Sequence, residues 1–239
     1  DFRVESNGNA NMLFVDGGTD RVGVGISSPQ RHIHLNGGNE TTKIQITNQT
    51  TGSSSDGEGF QIGIATNGTA NIEQRENLDM VFYTNDTEHL RIDANGHVTK
   101  PKTSAFQVKP ASNQDNIAIN DAVTVVFGTE IFDQNADFAS NTFTAPVTGK
   151  YHLDVHLYIE NIDTAADYYQ LRLVTSNRTQ YQTMDFGGYS ADAVYGRLSL
   201  SILTDMDASD TSTVIIQQVG GTSQTDVKDL SYFSGYLVA

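Results

Sequence analysis

Apolar and polar residues alternate along this chain in two rhythms. Over residues 1–103 the alternating runs are short and end in Gly-rich turns. Phe2-x-Val4 precedes Asn7-Gly8, Met12-Leu13-Phe14-Val15 precedes Asp16-Gly17-Gly18, and Val22-x-Val24-x-Ile26 stops at Pro29. Ile33-x-Leu35, Ile44-x-Ile46, Phe60-x-Ile62-x-Ile64, Ile72, Met80-Val81-Phe82-Tyr83 and Leu90-x-Ile92 continue the series. A period of two marks half-buried strands. Asn67-Gly68 and Asn95-Gly96 predict tight hairpin turns with both central residues at positive φ. Each run offers only two or three side chains to one face, so a sheet of such strands buries too little surface to stand alone. Regular short strands of this kind stack on themselves or wind with copies of the same chain.

The Pro-broken, basic stretch Thr99-Lys100-Pro101-Lys102-Thr103 predicts a boundary, with domains at 1–103 and 104–239. Beyond it the strands lengthen. The pattern places them near 104–109, 122–127, 130–133, 142–145, 150–160, 168–175, 180–186, 195–204, 211–218 and 231–238. No segment carries a 3.6-residue apolar period with caps, so almost no helix is expected. The fold class is therefore all-β: a shaft of short strands, then a ten-stranded jelly-roll sandwich. In the long fifth strand Tyr151, Leu153, Val155, Leu157 and Ile159 share one face and fill the sandwich. His152, Asp154, His156, Tyr158 and Glu160 share the other.

Composition narrows the function. The 239 residues include no Cys, which excludes disulfides, thiol chemistry and thiolate zinc sites. The net charge of −15 divides as −5 for residues 1–103 and −10 for 104–239, a balance that disfavours nucleic acid and anionic membranes. No window approaches the roughly 18 apolar residues of a membrane helix. Asp1 opens inside a patterned strand, which predicts a fragment of a longer chain. Nucleophile elbow, phosphate loop and His-Glu-x-x-His are all missing. Glu73 with Glu76, or Asp205 with Asp207, could be drawn as glycosidase carboxylates, but acids paired in loops are ordinarily solvated surface. The chain is read as a binding and assembly protein, not an enzyme.

Two stretches resemble known families. Leu13-Phe14-Val15-Asp16 through Arg21-Val22-Gly23-Val24-Gly25-Ile26-Ser27-Ser28-Pro29, followed by Ile33-His34-Leu35, is similar to a repeat of bacteriophage tail-fibre shafts. Met80-Val81-Phe82-Tyr83 through Glu88-His89-Leu90-Arg91-Ile92-Asp93-Ala94-Asn95-Gly96 resembles a second such element. That resemblance implies an intertwined homotrimeric shaft, localisation on the virion and a role in host attachment. Phe138 and Phe143, then Thr144-Ala145-Pro146-x-x-Gly149-x-Tyr151, resemble the complement globular head of the tumour necrosis factor-like superfamily. Val125-x-Phe127 and the terminal Phe233-Ser234-Gly235-Tyr236-Leu237 fit the same family, which implies a compact homotrimer. The chain lacks the Trp and the collagen stem of animal members.

Candidate sites follow. Through the family geometry, His152, Asp154, His156 and Tyr158 face neighbouring subunits, where an imidazolium beside a carboxylate is stabilised on mild acidification. His32-x-His34 sets two imidazoles about 7 Å apart on one strand face, and at a threefold axis these make six donors for an axial transition metal. Asp205-Met206-Asp207-Ala208-Ser209-Asp210 clusters oxygens as a Ca²⁺ loop does, but without the Gly and distal Glu of an EF-hand. No cofactor is required. If the shaft and the C-terminus share the base of the head, the 160–167, 187–194 and 219–230 loops form its tip. That set holds Asp163, Asp167, Gly187, Gly188, Tyr189, Asp192, Gly220, Gly221 and Asp226, a composition compatible with sugar recognition. The reading is a trimeric fibre tip that attaches to a bacterial surface glycan or protein, with no membrane insertion. Its rivals are a purely structural trimerisation cap and a bacterial surface adhesin.

Overall fold

The computed structural model describes residues 1–239, which divide into two compact units, Asp1–Thr99 and Lys100–Ala239. The chain is all-β, without helix.

Unit one contains three small sheets. The first runs β1 (Phe2–Ser6), β2 (Asn9–Asp16), β3 (Arg21–Val24) and β4 (Ile33–Leu35); β3 and β4 pair in parallel, with Gly25 at φ 79° turning the chain between them. The second joins β5 (Thr42–Ile46), β6 (Phe60–Ile64) and β7 (Ala70–Gln74). The third joins β8 (Met80–Thr84), β9 (Thr87–Ile92) and β10 (Val98–Thr99). The hairpin turns differ from expectation in a specific way. At Asn67-Gly68 and Asn95-Gly96 only the glycines have positive φ, 86° and 87°. The bonds Gly68 N–H to Ala65 O and Gly96 N–H to Asp93 O, each 2.9 Å, make these three-residue loops in which Gly is the left-handed third position. The two-residue turn with both φ positive lies instead at Asn85-Asp86, at 48° and 55°.

The β5–β7 sheet is inverted relative to an ordinary globular sheet. Register aligns Ile44, Ile62 and Ile72 in one row, flanked by Ile46 and Phe60 on one side and Ile64 on the other. Ile44, Ile46, Ile62, Ile64 and Ile72 are all exposed. The polar face is the covered one: the 47–59 loop lies across it, its Ser55 and Glu58 carbonyls accepting from Gln45 Nε2 at 2.9 and 2.8 Å. Beneath that loop Lys43 Nζ reaches Glu73 at 2.8 Å and Gln61 Oε1 at 3.1 Å, and Gln61 is only 3% exposed. No large apolar side chain of Asp1–Thr99 is buried, whereas Phe2, Met12, Ile33, Phe82 and Val98 join the isoleucines in solvent. Burial of apolar surface, the main driving force for folding, is only partial in this unit as a single chain: Leu13, Phe14, Val15, Leu90 and Ile92 are half-buried and none is enclosed.

Unit two is a two-sheet jelly roll. One sheet orders β13 (Thr129–Asp133), β11 (Ala105–Lys109), β22 (Tyr232–Leu237), β16 (Gly149–Ile162) and β19 (Ala193–Met206), with β21 (Asp226–Val227) added on β16. The other orders β14 (Phe138–Ala139), β15 (Thr142–Thr144), β20 (Thr211–Gly220), β17 (Ala166–Thr175) and β18 (Thr179–Met184), with β12 (Ala122–Thr124) on β20. Twelve strands replace the ten expected, the additions being the two-residue β14 and β21. Along the edge of β12 that faces away from β20 the Gln114 side chain stands in for a partner strand: its Nε2 donates to Thr124 O at 3.0 Å and its Oε1 accepts from Val126 N–H at 3.0 Å, while Val125 N–H still donates to Val214 O at 2.9 Å. Val125 and Phe127 still point inward.

The alternation in β16 holds throughout, since Tyr151, Leu153, Val155, Leu157 and Ile159 have no exposed surface. Phe106 sits among three further rings, 4.7 Å from Phe143, 5.0 Å from Phe233 and 5.4 Å from Phe138 between centroids. The corner after β15 is locked by Tyr151, whose hydroxyl donates to Val147 O at 2.7 Å while its ring meets Phe143 edge-on at 5.5 Å. Gly149 admits the chain end there: a Cβ would stand 2.7 Å from Ala239 O.

Candidate assembly face and tip loops

The outer face of the β16 sheet carries aromatic and imidazole rings on both sides of a polar row at Asp154. Alternation puts His152, Asp154, His156 and Tyr158 on it, and antiparallel register sets Tyr236, Ser234 and Tyr232 beside the first three from β22. Ser201, Ser199 and Arg197 lie beside Asp154, His156 and Tyr158 from β19. The His156 ring stacks on Tyr232 at 4.7 Å, and its Nε2 lies 3.4 Å from Asp154 Oδ2. His152 lies 5.2 Å from the Tyr236 ring, and its Nε2 is 3.1 Å from Ser201 Oγ. Tyr158 stacks on Tyr195 at 5.4 Å, with the Arg197 guanidinium 5.2 Å above its ring. Desolvation, then the Asp154 charge, push the Tyr232 hydroxyl pKa upward.

Sequence reasoning found one strand of this face and missed its neighbours. Tyr195, Arg197 and Leu203 on β19 and Phe132 on β13 belong to it, with Leu203 61% and Tyr195 56% exposed. Period-two alternation gives each strand's two faces, but the face that meets β16 is known only from register.

At one end of the sandwich the 160–167, 187–194 and 219–230 loops are stitched together. Asp163 accepts from the backbone N–H groups of Thr222, Ser223 and Ala165, the last two at 2.8 Å. Asp192 Oδ1 accepts from Thr164 N–H and Oγ1–H, both at 2.8 Å. At the other end Arg178 pairs with Asp205 at 2.5 Å, and Ala208 N–H donates to Thr148 Oγ1 at 3.1 Å. A fourth segment, 110–121, belongs with the first group: Asn116 N–H donates to Asp226 Oδ1 at 2.7 Å and Gly220 N–H to Asn120 Oδ1 at 2.9 Å. Its Asn-rich composition was the available signal.

The tip candidates separate into two kinds. Asp163 and Asp226 are 2% and 8% exposed, and their carboxylates are occupied by loop hydrogen bonds, the second holding Asn161 Nδ2 at 2.7 Å. Gly220 and Gly221, at φ 69° and 100°, form the turn that closes over Asp163. Asp167, Gly187, Gly188, Tyr189 and Asp192 are exposed, Tyr189 at 62%.

The backbone donors of Thr222 and Ser223 lower the Asp163 carboxyl pKa. A group with a depressed folded-state pKa stabilises the fold above its unfolded pKa, and that contribution fades as pH falls through the folded value. The tip loops are therefore expected to loosen below about pH 4 while the sandwich persists. Amide resonances of Thr222 and Ser223 followed during acid titration check this. They should move together ahead of core resonances in the wild type, and the transition should vanish in Asp163→Asn.

Within one chain no three His, Cys, Asp or Glu side chains are placed to hold a metal. His34 Nδ1 accepts from Gln30 N–H at 3.3 Å, and His32 Nδ1 lies 3.5 Å from Asp20 O. In the 205–210 loop Asp205 serves Arg178, and Asp210 Oδ2 accepts Asp207 N–H at 2.8 Å. Glu73 and Glu76 are likewise engaged, by Lys43 and by Gly59 N–H.

No protein-family model matches the chain, and no curated protein is similar to it. Among solved structures, the globular domain of zebrafish complement 1qA protein is similar at 19% identity and TM-score 0.42, over 58% of this chain and 98% of that one. Murine APRIL at pH 5.0 is similar at 11% identity and TM-score 0.41, over 57% and 100% respectively.

Proposed function

We propose that this chain is part of a homotrimeric fibre, a bacteriophage tail-fibre tip, in which residues 1–99 form the shaft and residues 100–239 the trimerising head. The observation that carries the reading is the open isoleucine face of β5–β7 in a unit with no buried large apolar side chain. Contiguous exposed apolar surface marks an interface. Copies of the same chain fit it best, because identical rows of isoleucine meet in register about a rotation axis and leave no face open. The shaft-repeat resemblance supplies the number three.

In the head, the aromatic belt through His152, His156, Tyr158, Tyr195, Tyr232 and Tyr236 is the assembly surface. Tyr and Arg concentrated on one sheet face match the composition of interface centres. The fibre sits on the virion, and its partner is a bacterial cell-surface glycan or protein engaged by the tip loops. Three equivalent sites on one stalk gain avidity without new contacts.

Sedimentation of the intact chain, paired with adsorption of the labelled protein to whole bacteria, tests this. A species of three chain masses that is retained on cells is expected. A monomer overturns the assembly; a trimer that no bacterium retains leaves the head as a structural cap.

A further inference from the structure

The tip holds a cleft of about 380 Å³ where the 110–121, 160–167, 187–194 and 219–230 segments meet. Small-molecule pockets begin at about this size. Its rim presents Asn116, Asn161, Ser223, Gln224 and Asp192, and Val194, 61% exposed, supplies an apolar edge.

The side chains of Asn161, Gln224 and Asp192 are held from behind, and so are the backbones of Asn116 and Ser223. Asp226 holds both the Asn116 backbone and the Asn161 amide, each at 2.7 Å. Gln224 Nε2 donates to Asn116 O at 3.3 Å, Asp192 is held by Thr164, and Gln218 Nε2 donates to Ser223 O at 2.8 Å. The outward atoms are free: Asp192 Oδ2, Asn161 Oδ1, Gln224 Oε1, Ser223 Oγ and the Asn116 amide make no hydrogen bond within the chain. Side chains already held in place with unused hydrogen-bonding capacity bind at a reduced ordering cost.

The chemistry of the rim selects the ligand. One carboxylate and several amide oxygens accept hydrogen bonds, the Asn116 amide and Ser223 hydroxyl donate, and no Lys or Arg lines the cleft. An anion finds no counter-charge there. A ring bearing several hydroxyls finds acceptors for its protons, the free Asp192 Oδ2 among them, and Val194 for its C–H face. We propose that this cleft binds one neutral sugar residue of a surface glycan, with Asp192 as its principal acceptor. The inference deepens the attachment reading above and rests on it.

The test applies the intact protein to an array of neutral, amino and acidic glycans, beside Asp192→Asn and Val194→Trp, with sedimentation run on all three. Asn at 192 keeps an acceptor for Thr164, and the exposed Val194 side chain tolerates enlargement, so both variants should fold and assemble as the wild type does. Wild-type retention on neutral glycans, weakened about tenfold or more by each substitution, is expected. Retention untouched by both substitutions, or confined to acidic glycans, overturns the inference. A trimer that retains no glycan also overturns it while leaving the assembly standing. A monomer that binds through Asp192 sinks the assembly and keeps the cleft.

Discussion

Phe106→Ala is expected to destabilise the jelly roll by about 3–5 kcal/mol. Phe106 touches rings from β14, β15 and β22, so one side chain ties the two sheets together. Its loss removes a large transfer contribution and opens a hole that Phe138, Phe143 and Phe233 cannot all close, being anchored on three strands. Chemical denaturation followed by tyrosine fluorescence gives the number. A midpoint shift equivalent to less than about 1 kcal/mol would mean that the cluster collapses freely and that the sheets are joined elsewhere.

Ile62→Asp separates the single chain from the assembly. In an isolated chain this side chain is 43% exposed, in the centre of the Ile44–Ile62–Ile72 row, and a surface substitution there would change stability by no more than about 0.5 kcal/mol. In the trimer three carboxylates would be forced together in an apolar contact. Each costs several kcal/mol to desolvate, and the three repel one another. Sedimentation should show the shaft frayed or the trimer lost, with near-wild-type head stability. An unchanged trimer with an unchanged melting profile would show that the row faces water.

The sandwich was largely legible because its strands are long. Five consecutive inward positions in β16, from Tyr151 to Ile159, leave one consistent burial pattern, and each is fully buried. The turn into that strand was legible for the same local reason, since Pro146, Gly149 and Tyr151 each have a definite backbone or packing task. β14 and β21 were missed because two residues carry no period. The edge-capping role of Gln114 was missed because a side chain bonded to a strand's free edge leaves no mark in the alternation.

The candidate sites were legible by end of the molecule and not by residue. Strand order alone grouped 160–167, 187–194 and 219–230. Composition could not distinguish Asp163, consumed by backbone donors, from Asp192, which keeps a free oxygen. Asn116 lay outside the tip set because the 110–121 segment reaches this end through a non-local bond to Asp226. The inverted β5–β7 sheet was half legible: the isoleucines were plain, but the covering of the polar face depends on where the 47–59 loop falls.

That inverted sheet bears on the order of events during synthesis. Residues 1–99 leave the ribosome first, yet the single chain's apolar core lies wholly in Lys100–Ala239. In the proposed assembly a nascent chain would carry its isoleucine rows uncovered until the copies meet, and in that interval they are sticky toward any apolar surface. The internal pairing of Lys43 with Glu73 and Gln61 under the 47–59 loop satisfies the covered polar face of that sheet within one chain. In the proposed assembly three finished heads, once joined, would raise the local concentration of three waiting shafts, and closure would proceed from the C-terminal unit back toward the N-terminus.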